Sequence, residues 1–378
     1  MSEHKKLDVF SSTAIAGNDI LSSCLYVCGF TAIFAGFYAP FVFFVIVGVL
    51  WLYKHVYTEV VEALPLNGGA YNCLLNASSK TFAAVAGVMT TLSYVATAVI
   101  SAKTAAEYVN TTWTIPVLPV TAGIIIVFAI LTILGVKDSA RVAKIIFSLH
   151  IFTLIVFVSM GLINVGNHGW GILPDTFAKT QLLFSQEGAV RMLFLAVAVS
   201  MLGITGFESS ANFVEEQAPG VFRQTLKYML IGVWIFNPLI TFVVLSSLSL
   251  DAISISKDFV LAASAFAVGG KTLQYLVVTD AFLVLSGAVL ASFVGASGLL
   301  YRMTLDHCLP SSILLPKLRQ RNQNTTRIII TYCLLCLSIL FITHGVLVSL
   351  AGVYTISFLG VMTTFAVGNL SLIHISEP

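Results

Sequence analysis

The chain has 378 residues, of which 58% are hydrophobic and 10% are charged, with a formal net charge of +2. Soluble domains carry roughly 25% charged residues, so this composition cannot cover a water-exposed surface and predicts a multi-pass membrane protein. The small net charge and the lack of a basic tract argue against a nucleic-acid partner.

Ten apolar runs have about the 18 residues that a membrane-spanning helix needs. They lie near residues 11–35, 38–61, 81–106, 115–135, 144–165, 189–213, 228–249, 273–300, 328–345 and 346–368. A polar tail, residues 1–10, precedes them and lacks the features of a cleavable signal peptide. The sequence therefore predicts an all-α fold with ten transmembrane helices.

Lys and Arg residues predict the orientation, because they are enriched in cytoplasmic loops. If residues 1–10 are cytoplasmic, the segments on that side hold thirteen Lys and Arg, and those on the other side hold four. We therefore expect a cytoplasmic N-terminus and a location in the plasma or cell membrane.

Polar and helix-breaking residues interrupt the first and the sixth span. The interruptions are Ala16-Gly17-Asn18-Asp19 with Ser22 and Ser23, and Gly203-Ile204-Thr205-Gly206-Phe207 with Glu208. Each interrupted span is the first of a block of five predicted spans, residues 11–165 and 189–369. Because five is an odd number, the second block would cross the membrane in the opposite orientation to the first. Gly-interrupted helices at matching positions of inverted halves point to a transporter binding site.

The physical reason is that an unwound helix in hydrocarbon leaves backbone N–H and C=O groups without partners, so a break survives only around a cavity or ligand. The alternative is that these glycines let neighbouring helices pack closely. Two breaks at matching positions, each beside a carboxylate, favour the binding site.

Three further stretches carry a family resemblance. They are Glu59 with Leu64-Pro65-Leu66-Asn67-Gly68-Gly69-Ala70-Tyr71, then Thr205-Gly206-Phe207-Glu208-Ser209 with Glu215, Glu216 and Pro219, and finally residues 297–310, SGLLYRMTLDHCLP. Together they resemble the amino acid–polyamine–organocation (APC) family of permeases over residues 8–369. The resemblance implies a five-plus-five inverted repeat, usually followed by two more helices. It also implies alternating access around a substrate held at the broken helices.

A second resemblance concerns the first span. The pattern D-x-L-S-S-x-x-Y, from Asp19 to Tyr26, is similar to the potassium-importing branch of the same superfamily, where the Asp and Tyr help to coordinate the ion. That branch carries an Asp before a Tyr in the third helix, and here the matching pair is Ser93-Tyr94, with Thr97 one turn later. The match to the ion site is therefore partial.

The breaks and the resemblances together give the candidate substrate-binding residues. They are Ala16, Gly17, Asn18, Asp19, Ser22, Ser23, Tyr26, Tyr94, Thr97, Gly203, Ile204, Thr205, Gly206 and Phe207. Asp19 is expected to contact a cationic group of the substrate, with a helix N-cap as its alternative role.

His150 and Glu208 are the candidates for proton coupling or gating. His150 resembles the position where many proton-coupled family members carry a Lys, and His titrates near physiological pH. The alternative for His150 is a buried neutral imidazole bonded to a carbonyl, and for Glu208 a structural brace.

Several other residues and segments are expected to lie outside the binding site. Lys54, Lys103 and Glu107 are expected to reach the membrane interface without a role, and Asp280 to face a vestibule or cap a helix. Residues 258–268 are expected to form an amphipathic external helix of a lid. The last nine residues, 370–378, look like a translated sequencing adapter, so we expect the natural chain to continue with further spans.

The sequence thus predicts a permease that imports amino acids or related amines by proton symport. A potassium or other monovalent-cation importer is the first alternative, and a non-transporting nutrient sensor is the second. The expected partners are a small-molecule substrate (an amino acid, a polyamine or a cation), protons and membrane lipid. The chain has no phosphate-binding loop, Ser/His/Asp arrangement or HExxH motif, and its six cysteines lie in or beside apolar segments, so no enzyme activity, metal or cofactor is predicted.

Overall fold

The computed structural model describes residues 6–134, 140–309 and 321–376, and it is all-helical. The helices of the first half are α1 (Val9–Ser22), α2 (Cys24–Ala35), α3 (Ala39–Ala63), α4 (Gly69–Ala77), α5 (Lys80–Asn110), α6 (Val117–Ile133), α7 (Ala140–His168) and α8 (Leu173–Glu187). Those of the second half are α9 (Ala189–Ser200), α10 (Val221–Ser247), α11 (Leu250–Ser256), α12 (Val260–Leu305), α13 (Arg321–Ile342) and α14 (Leu347–Ser376). Short 3₁₀ helices cover Gly36–Tyr38, Met201–Ile204, Phe207–Asn212, Val214–Glu216 and Lys257–Phe259.

Some predicted features fall outside this description. They are residues 1–5 of the predicted tail, residue 135 at the end of the fourth predicted span, Pro310 of the third motif, and residues 377–378 of the predicted adapter segment.

Seven stretches of the described chain are long and apolar enough to cross a membrane. Two of them exceed a single crossing in length, Val9–Ala63 with 55 residues and Leu250–Leu305 with 56, and α6 and α13 are shorter apolar helices. Large apolar side chains such as Leu134, Phe194 and Ile356 are exposed on the outer faces. The protein is therefore an integral multi-pass membrane protein, while the ten crossings and the inverted repeat stay predictions.

Helices α1 and α5 lie in the interior of the bundle. In the apolar window of α5, 72% of the residues are buried, and this helix packs against α12 and α14. Helix α1 packs against α7, α10 and α12, and every residue from Ala16 to Ser22 is buried. Small side chains allow this close approach of helices in a membrane.

The predicted break at Ala16–Asp19 is wrong. Helix α1 runs through these residues to Ser22, and the only irregularity is a turn at Ser23, whose backbone is still helical with φ −62° and ψ −26°. A Cβ on Gly17 would lie 2.5 Å from Cε2 of Phe147 on α7. Gly17 therefore serves close helix packing, the alternative that the sequence left open.

The predicted lid segment, residues 258–268, covers the end of a 3₁₀ turn and the start of α12, and its external location stays a prediction. Helix α11 and the 3₁₀ turn Lys257–Phe259 lead into α12, which bends at Gly270, where φ is +64°. A Cβ on Gly29 of α2 would lie 2.8 Å from the carbonyl oxygen of Lys257, so the turn is packed directly on α2.

Candidate functional site

The sixth apolar stretch loses its helical backbone at Thr205 and Gly206. Helix α9 ends at Ser200 and tightens into a 3₁₀ turn, after which Thr205 has φ −54° and ψ 136°, and Gly206 has φ +87° and ψ −1°. The interruption lies within the predicted stretch Gly203–Phe207. Its residues are buried, so the freed backbone groups must be satisfied inside the protein.

Asp19 faces this interruption from α1. Its carboxylate oxygen Oδ2 accepts a hydrogen bond of 2.6 Å from the hydroxyl of Ser209, and the side chain is 2% exposed. A Cβ on Gly206 would lie 2.6 Å from the same oxygen, so only glycine fits beside Asp19 here. Helix α1 therefore contributes the Asp19 side chain to the break, while its own backbone stays helical.

Tyr26 of α2 contacts the break from a second direction. Its hydroxyl lies 2.8 Å from the hydroxyl of Thr205, and both groups are buried. Asp19, Tyr26 and Thr205 therefore bring a carboxylate and two hydroxyls to one side of the interruption.

Glu208 follows Gly206 by two residues and is 7% exposed. Its oxygen Oε1 accepts a hydrogen bond of 3.3 Å from the hydroxyl of Ser93 on α5. The other oxygen, Oε2, is buried and has no hydrogen-bond partner in the described residues. Next to it, the side chain of Asn212 donates to the hydroxyl of Tyr94.

A small cavity adjoins Glu208. Its volume of about 10 Å³ corresponds to roughly one water molecule. Its walls are formed by Tyr57, Gly68, Gly69, Ala70, Thr90, Ser93, Glu208, Asn212, Phe358, Val361 and Met362. Asp19, Tyr26, Thr205 and Gly206 are not among its lining residues, so the cavity reaches the site at Glu208.

A buried pair of polar side chains lies between α7 and α12. His150 Nδ1 and Asp280 Oδ2 are 2.7 Å apart and share a hydrogen bond, and the two side chains are 0% and 1% exposed. The remaining atoms, His150 Nε2 and Asp280 Oδ1, have no partner in the described residues. The expectations that Asp280 faces a vestibule or caps a helix are wrong, as is the alternative in which His150 bonds a carbonyl.

A family model described as amino acid permease matches residues 7–375. The chain belongs to this family. The resemblance seen in the sequence is thereby confirmed, and the protein is a transporter and not an enzyme.

A solved structure gives the permease a fold relative. It is described as the substrate-bound outward-open state of a Na⁺-coupled sialic acid symporter, with a TM-score of 0.64 and 14% identity, covering 94% of this chain and 79% of that chain. At this identity the likeness shows the fold. The comparison with curated proteins finds no match. Family and fold together support a secondary transporter.

Several predicted site residues have local structural partners in the permease. Asn18 donates to the carbonyl of Ala143 on α7, and the hydroxyls of Ser22, Ser23 and Thr97 donate to carbonyls in their own helices. Ala16, Ile204 and Phe207 are fully buried apolar residues of the core. These contacts place Asn18 toward α7. Among the predicted site residues, Asp19, Tyr26, Thr205, Glu208 and Tyr94 make polar side-chain contacts at or beside the break.

Asn237 of α10 is a residue that the sequence did not indicate. Its side-chain amide donates to the carbonyl of Gly203 over 3.4 Å, which satisfies a group at the end of the interrupted helix. An amide within the largely apolar run 229–245 is the signal that could have found it.

Lys103 and Glu107 also differ from expectation. They form an ion pair on α5 with side chains 11% and 14% exposed, so Lys103 does not extend freely to the interface. The carboxylate of Asp258, in the turn before α12, interacts electrostatically with Lys103. The turn Lys257–Phe259 packs against α5.

The predicted cytoplasmic end is held by a second set of contacts. The backbone N–H of Asn67 donates to Glu215 Oε1 over 3.0 Å, and the N–H of Glu215 donates back to Asn67 Oδ1 over 2.9 Å. Leu7 pairs with the segment after them, since its N–H donates to the carbonyl of Glu216. We call Asn67, Glu215, Glu216 and Leu7 the inner latch, and it joins the N-terminal tail and two of the three family motifs.

Proposed function

We propose that the permease imports amino acids or related amines across the cell membrane, by proton-driven symport and alternating access. The guest would bind at the interruption Thr205–Gly206, between Asp19 and Glu208. The proposal includes the cytoplasmic N-terminus and the ten-span inverted repeat expected from the sequence.

The observation that carries this proposal is the meeting of two buried carboxylates at one helix break. A charged side chain near the centre of a bilayer costs at least about 2.5–3.5 kcal/mol on insertion scales, so it is retained where a partner or a function requires it. The described residues offer Glu208 a neutral hydroxyl and no ion pair within 4 Å. An ammonium group of the guest would supply the missing positive charge.

Proton coupling is assigned to Glu208 and His150. The His150–Asp280 pair joins α7 to α12 and is shielded from water, so a change in its protonation changes the attraction between the two helices. Among side chains, an unperturbed His titrates nearest to physiological pH. We propose that His150 carries the coupled proton.

Two sets of polar contacts support alternating access, and the proposal assigns them as its two closures. The inner latch ties the loop before α4 to the segment after the break, and the electrostatic interaction of Asp258 with Lys103 links the lid turn to α5. Each closure consists of a few polar contacts. We propose that the two open in turn while α1 and the interrupted helix move against the rest of the bundle.

Uptake by proteoliposomes tests the proposal. Labelled amino acids and amines are supplied outside, with and without an inward proton gradient. We expect uptake that the gradient accelerates and that Asp19→Asn abolishes. Gly48→Ala is the matched control, because a Cβ at this lipid-exposed glycine meets nothing within 4 Å. Binding of these solutes without any flux would contradict transport and favour a sensor.

A monovalent-cation importer is the second candidate. The observation that favours it is the pair of hydroxyls from Tyr26 and Thr205, 2.8 Å apart beside Asp19, because oxygen ligands suit alkali ions. The Ser93 that stands where that branch has an Asp weakens it. Rubidium uptake in the same vesicles separates the two: if rubidium alone enters and Asp19→Asn abolishes its entry, the amine proposal fails.

A further inference from the structure

We propose that a groove between α5, α12 and α13 holds one anionic phospholipid, with an acyl chain along the groove and the phosphate beside Arg327. Lipid surrounds every helix that crosses a membrane, but a discrete site of this kind binds one lipid saturably and selects its head group. The inference is independent of the solute that the permease transports. It follows from the length of the groove, its wall and the charge at its end.

The groove has the length of one leaflet of a bilayer. Its volume is about 310 Å³, and it lies near the start of α5, the end of α12 and the start of α13. Along α13 it runs from Ile328 to Ile339, which is about 16 Å at the rise of an α-helix. That is about half of the roughly 30 Å hydrocarbon core of a bilayer. On the predicted topology this half is the cytoplasmic leaflet.

The groove has exposed rims and a buried floor. Val88 on α5 is 47% exposed and Leu335 on α13 is 43% exposed, whereas Val95 and Ile328 are each 1% exposed. An apolar floor that is left empty loses its contacts with partner atoms. Membrane lipid is the molecule that reaches these rims at this depth of the bilayer.

The polar atoms of the groove wall are already hydrogen-bonded. Three threonines contribute to the wall, Thr91, Thr304 and Thr331. Each hydroxyl donates to a carbonyl in its own helix, over 2.8, 2.7 and 3.0 Å. Because these hydroxyl protons are committed, the wall suits a hydrocarbon chain and not a polar guest.

Positive charge lies at one end of the groove. Arg327 is one helical turn before Thr331, and both side chains are exposed. Residues four apart lie on the same face of a helix, so Arg327 continues the stripe of α13 that lines the groove. Lys80, at the start of α5, is a second exposed basic residue at this end.

The charge of Arg327 has no carboxylate beside it. Within the described ranges Arg327 forms no ion pair within 4 Å, whereas Arg302 at the end of α12 is paired with Asp306. A lipid phosphate would supply the missing negative charge. Basic residues beside the cytoplasmic leaflet attract anionic lipids in this way.

Two lipids with the same acyl chains test the inference. The full chain in detergent is titrated with phosphatidylglycerol or phosphatidylcholine, and native mass spectrometry and thermal unfolding report binding. We expect phosphatidylglycerol to bind at least about tenfold more tightly, a difference of roughly 1.4 kcal/mol, and to raise the unfolding temperature more. Glycerophosphate, which lacks acyl chains, should not raise it.

Variants locate the lipid. Arg327→Gln should lower the affinity for phosphatidylglycerol to that for phosphatidylcholine, while Arg223→Gln, at an exposed arginine outside the groove, should keep the preference. Val88→Trp should fill the groove and weaken the binding of both lipids at least about tenfold. Val127→Trp, at a similarly exposed valine of α6 outside the groove, should leave both affinities unchanged.

The outcomes that overturn the inference are separate from solute uptake. They are equal affinity for the two lipids in the parent chain, a preference that survives Arg327→Gln, and phosphatidylglycerol binding that survives Val88→Trp. A shift by glycerophosphate equal to that by phosphatidylglycerol would indicate a phosphate site without a lipid and would also overturn it. If size-exclusion profiles show that Val88→Trp is unfolded, Arg327→Gln decides, since its side chain is exposed.

Discussion

Gly206 holds a backbone conformation, with φ +87°, that other L-residues rarely adopt. A Cβ there would also collide with the carboxyl group of Asp19. The strained backbone alone costs about 1–2 kcal/mol, and the collision adds to it. We therefore predict that Gly206→Ala lowers the thermal unfolding temperature and abolishes solute binding, whereas Gly48→Ala changes neither. Equal behaviour of the two variants in a melting experiment would contradict the geometry at the break.

The buried pair of His150 and Asp280 gives a second prediction at this scale. Removing one partner of a buried pair leaves the other uncompensated, at a cost of about 3–5 kcal/mol. Asp280→Leu and His150→Leu should each destabilise the protein strongly, and the double variant should be more stable than either. Thermal unfolding in detergent measures all three.

A control for this cycle comes from the exposed pair Arg191 and Glu187, 2.8 Å apart on the surface. Surface ion pairs contribute about 0–1 kcal/mol, so Arg191→Ala should have a small effect. Additive losses from the two single Leu variants would show that His150 and Asp280 do not interact.

The sequence was sufficient to select the two carboxylates of the site, but not to predict which side chains they contact. Asp19 and Glu208 stand out because they interrupt apolar spans, and a charge there is costly. The pairing of His150 with Asp280 joins residues 130 positions apart, and that of Ser209 with Asp19 joins residues 190 apart. Such contacts depend on how the helices pack, which no local pattern contains.

At the scale of helices, the two predicted interruptions show that glycine in a span does not by itself predict a broken helix. Both spans contain glycine beside polar residues, yet α1 stays helical and the sixth span opens at Thr205–Gly206. A glycine inside a helix is tolerated and often marks close packing. The sequence alone could not separate the two cases, because the deciding contact of Gly17 is with Phe147 on α7.

This packing role of Gly17 is testable. A methyl group at Gly17 would lie 2.5 Å from the ring of Phe147, and overpacking of this kind costs about 1–3 kcal/mol. We predict that Gly17→Ala destabilises the protein and that adding Phe147→Leu, which removes the ring, restores stability and transport together. Thermal unfolding and uptake measure the two. A loss of transport that persists in the stable double variant would instead place the Gly17 backbone at the ligand.

For the whole molecule, composition was the strongest guide. Few charges, long apolar runs and the loop motifs sufficed to predict a membrane-embedded helical permease, which the family model confirms. The number of crossings stays a prediction, because long helices such as α12 bend within a single stretch and α6 and α13 are short. The contact between Asn67 and Glu215 also escaped the sequence, since it joins residues 148 positions apart.

The orientation is open to direct labelling. The charge distribution predicts that the N-terminus of α5 is cytoplasmic and that its C-terminus is external. Lys80 and Trp113, at these two ends, are exposed and suited to substitution. In intact cells a membrane-impermeant maleimide should label Trp113→Cys above the background of the parent chain, and Lys80→Cys only after permeabilisation. The reverse pattern would invert the predicted topology.

An experimental density map of the protein with its transported solute bound tests the central claim most directly. The account predicts density for the solute beside Gly206, with its positive charge between Asp19 and Glu208 and the backbone still open at Thr205. Solute density remote from both carboxylates, or a continuous helix through residues 205 and 206, would contradict it.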